Sequence, residues 1–331
     1  MVCLEERRKR NSSEVDTIMS SIKILQGNCL DRLRDLPEKS VNTCVTSPPY
    51  FGLRNYGITD QLGMEETPDQ FTENLVKLFR EVRRVLRDDG TVWLNLGDSY
   101  CSINGYARAS PEFQRKGRNN APANNRSLSE LHKANIKTKD LIGIPWRVAF
   151  ALQADGWYLR QDIIWHKPNP MPESVQDRCT KAHEYIFLLS KSPKYYYDSE
   201  AIKEKVKQDW GTRDRSSGKY HNEGTGLQPH SGLEKSYETK NKRSVWSVSP
   251  MPYKEAHFAT YPPELIKPCI LAGCPEGGTV LDPFGGSGTT AQVSNNLNRN
   301  AILCELNPEY VEIAKGRLQE SLGMFLNMEI L

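Results

Sequence analysis

Several features that would direct this chain to a membrane or an oxidising compartment are missing from its sequence. It has no run of about 18 apolar residues, which a membrane-spanning helix needs. Its first residues lack the apolar core of a secretory signal peptide. The eight cysteines are scattered and form no Cys-x-x-Cys pair, which favours reduced thiols over a disulfide framework or a zinc site. We therefore expect a cytoplasmic protein, or a nuclear one if the source is eukaryotic.

A strong net charge and a metal-ligand pattern are missing as well. The 331 residues carry a formal net charge of only +3, so total charge does not indicate a nucleic-acid partner. The six histidines show no metal-ligand spacing, and we predict no metal site. Basic residues are nevertheless concentrated in residues 99–139, an Asn- and Ser-rich stretch with few acidic residues. They are Arg108, Arg115, Lys116, Arg118, Arg126, Lys133, Lys137 and Lys139. This composition suits a polyanion and a solvated surface loop equally well.

Short apolar runs alternate with amphipathic segments over most of the chain. The predicted strands are residues 22–25, 41–46, 91–96, 159–165, 185–190, 279–281 and 301–304. The predicted helices run from 68 to the Asp88-Asp89-Gly90 stop, and over 145–154, 262–272, 289–296 and 308–318. This alternation predicts an α/β fold, a mostly parallel sheet with helices on both faces.

Three segments depart from the alternation. Residues 1–20 are predicted to be a disordered leader, and residues 321–331 a C-terminal tail. Residues 203–250 are rich in Lys, Arg, Gly and Ser, with interleaved aromatic residues, and are the best candidate for an inserted recognition module. A long surface loop is the alternative for this segment.

A glycine-rich turn follows the predicted strand 279–281. The segment Asp282-Pro283-Phe284-Gly285-Gly286-Ser287-Gly288 leads from that strand into a helix. Gly286 and Gly288 have no side chain to block a ligand that lies over the backbone. Glu305 comes 17 residues after Gly288, at the end of the next apolar strand. An acid there can accept hydrogen bonds from both ribose hydroxyls of an adenosine-type ligand.

Two commoner glycine motifs do not fit this turn. No lysine follows Gly288, so the turn is not the phosphate loop Gly-x-x-x-x-Gly-Lys-Ser/Thr. No third glycine follows either, so it is not Gly-x-Gly-x-x-Gly. A purely structural turn is the remaining alternative.

A second turn, Ser47-Pro48-Pro49-Tyr50, closes the predicted strand 41–46. Open α/β sheets bind their ligands at this end of a strand. An exocyclic amino group is a poor nucleophile because its lone pair is delocalised into the ring. The Ser47 hydroxyl and the Pro48 carbonyl are suited to accept its two protons, so that the nitrogen attacks a sulfonium methyl group in line. Tyr50 offers an aromatic face to an unstacked base. A proline turn that merely ends a strand is the alternative.

Together, Thr46–Tyr50 and Asp282–Thr290 resemble the two main motifs of the amino-methylating DNA methyltransferases, the N4-cytosine and N6-adenine enzymes. The catalytic motif comes first and a basic variable region separates the two. This order resembles the β class, a circular permutation of the Rossmann-like methyltransferase fold. The resemblance covers most of residues 22–320 and implies S-adenosyl-L-methionine as the cofactor and DNA as the substrate. It also implies a catalytic half at 21–202, a target-recognition insertion at 203–250 and a cofactor-binding half at 251–320.

The resemblance implies roles for individual residues. Those matching the catalytic tetrapeptide are Ser47, Pro48, Pro49 and Tyr50, and those matching the cofactor motif and its ribose-binding acid are Asp282, Phe284, Gly286, Gly288 and Glu305. Asn28 stands where the family commonly has an acid that contacts the cofactor adenine, and its side-chain oxygen can accept from the same amino group. Weaker matches are Asn95–Asp98, Trp165–Pro168 and His257–Leu265.

Serine at the first position of the tetrapeptide favours N4 of cytosine, because the adenine enzymes usually carry Asp or Asn there. An N6-adenine enzyme of the same class is the main alternative, followed by an RNA or protein amide methyltransferase. A carbon-5 cytosine enzyme needs a cysteine nucleophile, and Pro268-Cys269 falls inside a predicted core helix. A nucleic-acid-binding protein with a decayed site is disfavoured by the intact motif residues.

The predicted mechanism is direct methyl transfer to a base flipped out of DNA, without a covalent enzyme intermediate. The displaced proton leaves to solvent. The expected partner is double-stranded DNA. The sequence leaves open whether a cognate restriction endonuclease accompanies the protein, and it is compatible with a monomer or a dimer.

Overall fold

The computed structural model describes residues 20–53, 61–101, 135–206, 238–250, 261–322 and 327–331. Its strands are β1 (Ser21–Gln26), β2 (Val41–Thr46), β3 (Leu86–Leu96), β4 (Tyr158–His166), β5 (His183–Ser190), β6 (Glu204–Lys205), β7 (Thr239–Lys240), β8 (Val245–Ser247), β9 (Thr279–Asp282), β10 (Asn300–Glu305) and β11 (Asn327–Ile330). Its helices are α1 (Cys29–Arg34), α2 (Pro68–Val85), α3 (Ile144–Ala154), α4 (Pro263–Gly273), α5 (Thr289–Asn296) and α6 (Pro308–Leu322).

Nine of these strands form one sheet in the order β11-β1-β10-β9-β2-β3-β5-β4-β8. Neighbouring strands are parallel except on the two sides of β5, which runs antiparallel to β3 and β4. The predicted mostly parallel sheet is therefore confirmed. The carboxyl ends of β1, β2, β3, β9 and β10 meet at one edge, together with the amino end of β5.

Helices cover both faces of the sheet because successive strand residues point to opposite sides. Cys44, Val92 and Phe187 pack with the first three helices in one core cluster. Their neighbours Val45, Trp93 and Leu188 lie in a second cluster with α4. A third cluster joins β1 and β10 to α5 and α6. These buried layers support the carboxyl edge of the sheet from both faces.

The start of α2 follows its sequence signals and its end does not. Thr67 and Gln70 form a reciprocal capping box, and Pro68 occupies the first turn. The helix ends at Val85, and Asp88-Asp89-Gly90 lies inside β3 instead of ending the helix. The predicted stop was wrong because Leu86 is fully buried and pairs with Val41 of β2, so tertiary pairing overrides the local turn signal.

Two predicted irregular segments contribute strands. Within 203–250, β8 pairs with β4 and extends the main sheet, and β6 pairs with β7. Asn327–Ile330, predicted as part of a tail, pairs in parallel with β1 at the other end of the sheet. Most of the predicted leader and most of the basic stretch lie outside the described residues. Among the described helices, none is long and apolar enough to cross a membrane.

Candidate active site

The glycine turn lies at the centre of the carboxyl edge, between β9 and α5. Gly286 and Gly288 have left-handed φ angles of 51° and 79°, which favour glycine over any residue with a side chain. A Cβ atom on Gly285 would lie 2.8 Å from the Leu303 Cβ atom of β10. The turn therefore packs directly on the strand that carries Glu305.

Glu305 ends β10, as the spacing in the sequence predicted, and the structure shows that it also contacts the turn. Its two carboxylate oxygens accept hydrogen bonds from the backbone N–H groups of Gly286 and Asn307, each at 2.8 Å. Burial raises the pKa of Glu305 above its ordinary value. Each carboxylate oxygen has a second lone pair, so the carboxylate can still accept from a diol next to the backbone of the turn. This donor and acceptor set fits the ribose of an adenosine-type cofactor.

Arg317 of α6 holds the other side of the turn, and sequence reasoning missed it. Its Nη1 atom donates to the hydroxyl oxygens of Ser287, at 3.0 Å, and Thr289, at 2.8 Å. Both hydroxyl-bearing residues are buried. No local motif marks Arg317, because its partners lie about 30 residues away along the chain and are reached only through the packing of α6.

Asp282 has internal hydrogen-bond partners in the structure, and its contact with a cofactor stays a prediction. It is almost fully buried, and protein donors approach both carboxylate oxygens. Oδ1 accepts from the Thr46 hydroxyl at 2.6 Å and the Phe284 amide at 3.0 Å, and Oδ2 from the hydroxyls of Tyr261 at 2.8 Å and Thr290 at 2.5 Å. Burial raises the pKa of Asp282, against the lowering effect of these hydrogen bonds. Asp282 is thus a positioning residue that joins the cofactor turn to β2.

Asn28 and Phe284 flank the turn. Asn28 is the N-cap of α1, and its side-chain oxygen accepts from the Leu30 amide at 2.9 Å. The preceding Gly27 donates its amide to the Glu305 carbonyl at 2.9 Å, which places Asn28 at the same edge as the ribose acid. The Phe284 side chain is partly buried against the core that contains the first three helices. Contacts of both side chains with a cofactor stay predictions.

Ser47–Tyr50 begins directly after Thr46, whose hydroxyl is bonded to Asp282, so the two turns are neighbours. On the other side, Phe51 is buried and its ring packs against that of Phe71 at a centroid distance of 5.6 Å. Pro48 is buried, whereas Ser47, Pro49 and Tyr50 are partly exposed. Within the part of the chain that the structure describes, no side chain or backbone group bonds to the Ser47 hydroxyl, which leaves its lone pairs available as acceptors.

The Tyr50 side chain is fixed at both its face and its hydroxyl. A Cβ atom on Gly97 would lie 2.4 Å from the Tyr50 Cε2 atom, so the ring packs against the bare backbone of Gly97. The hydroxyl donates to Glu184 Oε2 at 2.6 Å and lies 3.3 Å from Asn95 Oδ1. The weak motif Asn95–Asp98 therefore contributes two residues to the setting of Tyr50.

The other members of the weak motifs have distinct positions. The Asp98 carboxylate accepts from the Gly143 and Ile144 amides at the start of α3, which makes it a helix cap. Lys167 pairs with Glu184, and its ammonium group lies 4.3 Å from the centroid of the Trp165 ring. Of the match at 257–265, only 261–265 is described, and there Tyr261 bonds to Asp282. The sequence analysis missed Glu184. The available signal was an acidic residue directly before the apolar run of a predicted strand.

Cys269 lies in α4, only 1% exposed, and burial raises the pKa of its thiol. A buried thiol with a raised pKa is a poor nucleophile. This position agrees with the interpretation of Cys269 as a core residue.

The sheet thus brings the glycine turn and Ser47–Tyr50 to one edge and links them through the Asp282 carboxylate. This arrangement is typical of Rossmann-like folds, which bind their ligands at the carboxyl ends of parallel strands. Comparison with known proteins identifies the family. The model of the DNA methylase family N6_N4_Mtase matches residues 41–316, and the chain belongs to this family. Membership confirms the predicted resemblance, DNA as the substrate and S-adenosyl-L-methionine as the methyl donor.

Relatives and solved structures agree with this assignment. The chain is 47% identical over 301 residues to the Type II methyltransferase M.Cfr9I of Citrobacter freundii, covering 91% of this chain and 89% of the relative. The PvuII DNA methyltransferase (cytosine-N4-specific) matches with a TM-score of 0.60 at 18% identity, covering 95% of each chain. The putative DNA modification methylase TTHA0409 of Thermus thermophilus, solved with S-adenosyl-L-methionine, matches with a TM-score of 0.57 at 22% identity, covering 93% of this chain and 99% of that one. These two structures confirm the fold.

Proposed function

We propose that this DNA methyltransferase transfers the methyl group to the exocyclic N4 amino group of cytosine. The observation that carries the proposal is the Thr46–Asp282 hydrogen bond, which joins the strand that ends at Ser47 and Pro48 to the cofactor turn. Within the described residues the Ser47 hydroxyl has no bonded partner, and the Pro48 carbonyl follows it directly in the chain. Two hydrogen-bond acceptors that follow each other in the chain can each accept one of the two N–H bonds of an exocyclic amino group. Adenine N6 offers the same two protons, so the preference for cytosine depends on serine at position 47.

Transfer requires that the amino nitrogen face the sulfonium methyl group with its lone pair. The Ser47 hydroxyl and the Pro48 carbonyl accept the two N–H bonds and draw the nitrogen toward tetrahedral geometry. Preorganised acceptors contribute most of such an effect because they need no reorganisation during the reaction. The nitrogen–methyl bond forms as the sulfur–methyl bond breaks, and one amino proton then leaves to solvent.

The residues of the cofactor turn hold the methyl donor. Glu305 would accept from the ribose hydroxyls, Gly286 and Gly288 would allow the donor to lie close over the backbone, and Phe284 and Asn28 would contribute from the flanks. The bound donor supplies an electrophilic methyl group on a positively charged sulfur. Asp282 keeps this turn in register with Ser47 through Thr46.

The target base leaves the DNA stack to reach this edge, because its amino group is inaccessible in the duplex. Tyr50 stacks on the extruded base, and its fixed ring reduces the entropy lost on binding.

We assign sequence recognition to the segment 203–250, of which the part 207–237 lies outside the described residues. The order of the two motifs along the chain supports the permuted β class.

The similarity to M.Cfr9I, a Type II methyltransferase, supports a Type II enzyme that acts beside a restriction endonuclease of the same specificity. Because M.Cfr9I is a bacterial protein, the same similarity supports a location of this enzyme in the bacterial cytoplasm.

Transfer of radiolabelled methyl groups to DNA, RNA and protein acceptors tests this proposal together with Ser47→Ala. We expect label in DNA alone, and a kcat reduced roughly 100-fold in Ser47→Ala, as for loss of one preorganised hydrogen-bonding group in other active sites. Ser40→Ala is the matched control, because the exposed Ser40 hydroxyl bonds only to the Pro37 carbonyl within the described residues. Label in RNA or protein, or an unchanged rate for Ser47→Ala, would contradict the proposal.

A further inference from the structure

We infer that Glu184 is a positioning residue for methyl transfer, which holds Tyr50 in place for the target base through the tyrosine hydroxyl. The inference rests on the proposed function, because it gives Tyr50 its stacking role. It adds to the groups that support the reaction a residue from β5, which is distant from both motifs along the chain.

Glu184 is the centre of a small hydrogen-bonded cluster under Tyr50. Its Oε2 atom accepts from the Tyr50 hydroxyl at 2.6 Å and from the Asn95 side-chain amide at 3.2 Å. Its Oε1 atom accepts from the Lys167 ammonium group. Asn95 is itself fixed, because its amide also donates to the Tyr185 carbonyl at 3.0 Å. Both carboxylate oxygens are therefore occupied, and the acid has a single orientation.

The cluster is half sheltered from water, which strengthens its hydrogen bonds. The side chain of Glu184 is 14% exposed and that of Lys167 is 21% exposed. Hydrogen bonds to an ionised group are shorter and about twice as strong as neutral ones, and the 2.6 Å bond to Tyr50 is of this kind. The Lys167 ammonium group is in turn held over the Trp165 ring.

Stability alone does not require this arrangement. A buried or half-buried ion pair contributes little over an apolar replacement of the same volume, because desolvation offsets most of the attraction. A tyrosine ring that only filled space could be held by apolar packing and would not need a charged partner for its hydroxyl. The cluster instead anchors the far end of a ring whose near end is attached to the catalytic turn, with Gly97 behind it. A ring fixed at both ends cannot swing away when a base stacks on it.

The test combines Glu184→Gln with Tyr50→Phe and measures kcat and KM for DNA and for S-adenosyl-L-methionine. Each single variant should lower kcat by roughly 10- to 100-fold, the range expected when a contact group shifts by about 1 Å. The KM for S-adenosyl-L-methionine should stay unchanged. If Glu184 acts through the Tyr50 hydroxyl, the double variant will be no slower than the slower single variant.

A matched control comes from another ion pair of similar burial. Glu81 pairs with Arg84 on α2, with side chains 25% and 26% exposed, in a helix to which we assign no residue of the site. Glu81→Gln should leave kcat unchanged. Thermal unfolding of every variant shows whether the fold is kept, and if Glu184→Gln does not fold, Tyr50→Phe alone still removes the bond that carries the inference.

Three results would overturn the inference: a wild-type kcat for Glu184→Gln, a wild-type kcat for Tyr50→Phe, or effects of the two changes that multiply in the double variant. The failure of the proposed function is separate, since it would appear as wild-type protein that forms no N4-methylcytosine in DNA. Methylation by the wild type with unaffected variants would remove Glu184 from the mechanism and leave the proposed function in place.

Discussion

Replacement of Gly97 by alanine is the sharpest perturbation that the structure offers near the target base. The backbone of Gly97 is outside the left-handed region, so an alanine fits the local conformation. Its Cβ atom would lie 2.4 Å from Cε2 and 3.0 Å from Cδ2 of Tyr50, whereas carbon atoms prefer a separation of about 3.5–4.0 Å. The ring must therefore retreat by at least about 1 Å.

Two costs follow from this displacement. Overpacking at a well-packed position destabilises a fold by about 1–3 kcal/mol. Misplacement of a contact group by about 1 Å lowers an enzymatic rate by up to roughly 100-fold. We therefore expect Gly97→Ala to fold, to unfold at a lower temperature, and to lose most of its kcat while it still binds S-adenosyl-L-methionine.

The assays are steady-state methyl transfer to DNA and thermal unfolding, with Gly316→Ala as the control. Gly316 lies in α6, and a Cβ atom added there would meet no neighbouring atom of the described residues within 4 Å. Its replacement should be neutral or stabilise the helix by about 1 kcal/mol. In a Tyr50→Ala background, Gly97→Ala should no longer destabilise the fold. A fully active Gly97→Ala enzyme would refute the argument that the Tyr50 ring must stay where it is.

Further predictions concern the cofactor turn. Burial raises the pKa of Glu305, and protonation converts one of its two acceptor oxygens into a donor. Calorimetry should therefore show cofactor affinity declining, as the pH falls, at a higher pH than for an ordinary glutamate, and a weak, pH-independent affinity for Glu305→Gln. Asp282→Asn removes the charge that four donors share, and chemical denaturation should show a loss of about 2–4 kcal/mol; an unchanged midpoint would contradict its positioning role. Arg317→Met removes the bonds to Ser287 and Thr289 and should weaken cofactor binding roughly 30-fold in equilibrium dialysis, at about 1 kcal/mol for each of the two bonds. Equal binding would show that α6 does not support the turn.

Local signals were enough to predict the parts of the site that lie within a single strand and its following turn. Ser47–Tyr50 and Gly285–Gly288 each end a buried parallel strand, and the chemistry of the backbone at such a turn can be predicted from proline and glycine alone. Glu305 was predicted from its spacing, because the next parallel strand must end at the same edge.

The residues that were missed depend on packing between distant segments. Glu184 reaches Tyr50 only because β5 runs antiparallel to β3, which places its amino end among the carboxyl ends of the other strands. Arg317 reaches the turn through the packing of α6, and Leu86 begins a strand because it pairs with Val41. Asp282 was recognised as part of the motif, but its bonds to Thr46 and Tyr261 join segments that are separate along the chain, so its positioning role could not be predicted locally.

Mass spectrometry of nucleosides from DNA methylated by the purified protein tests the central claim most directly. The proposed geometry of Ser47 and Pro48 predicts N4-methylcytosine as the modified nucleoside, absent when S-adenosyl-L-methionine is omitted. N6-methyladenine without N4-methylcytosine would contradict the assignment of the target base, and 5-methylcytosine would contradict the direct attack of an amino group.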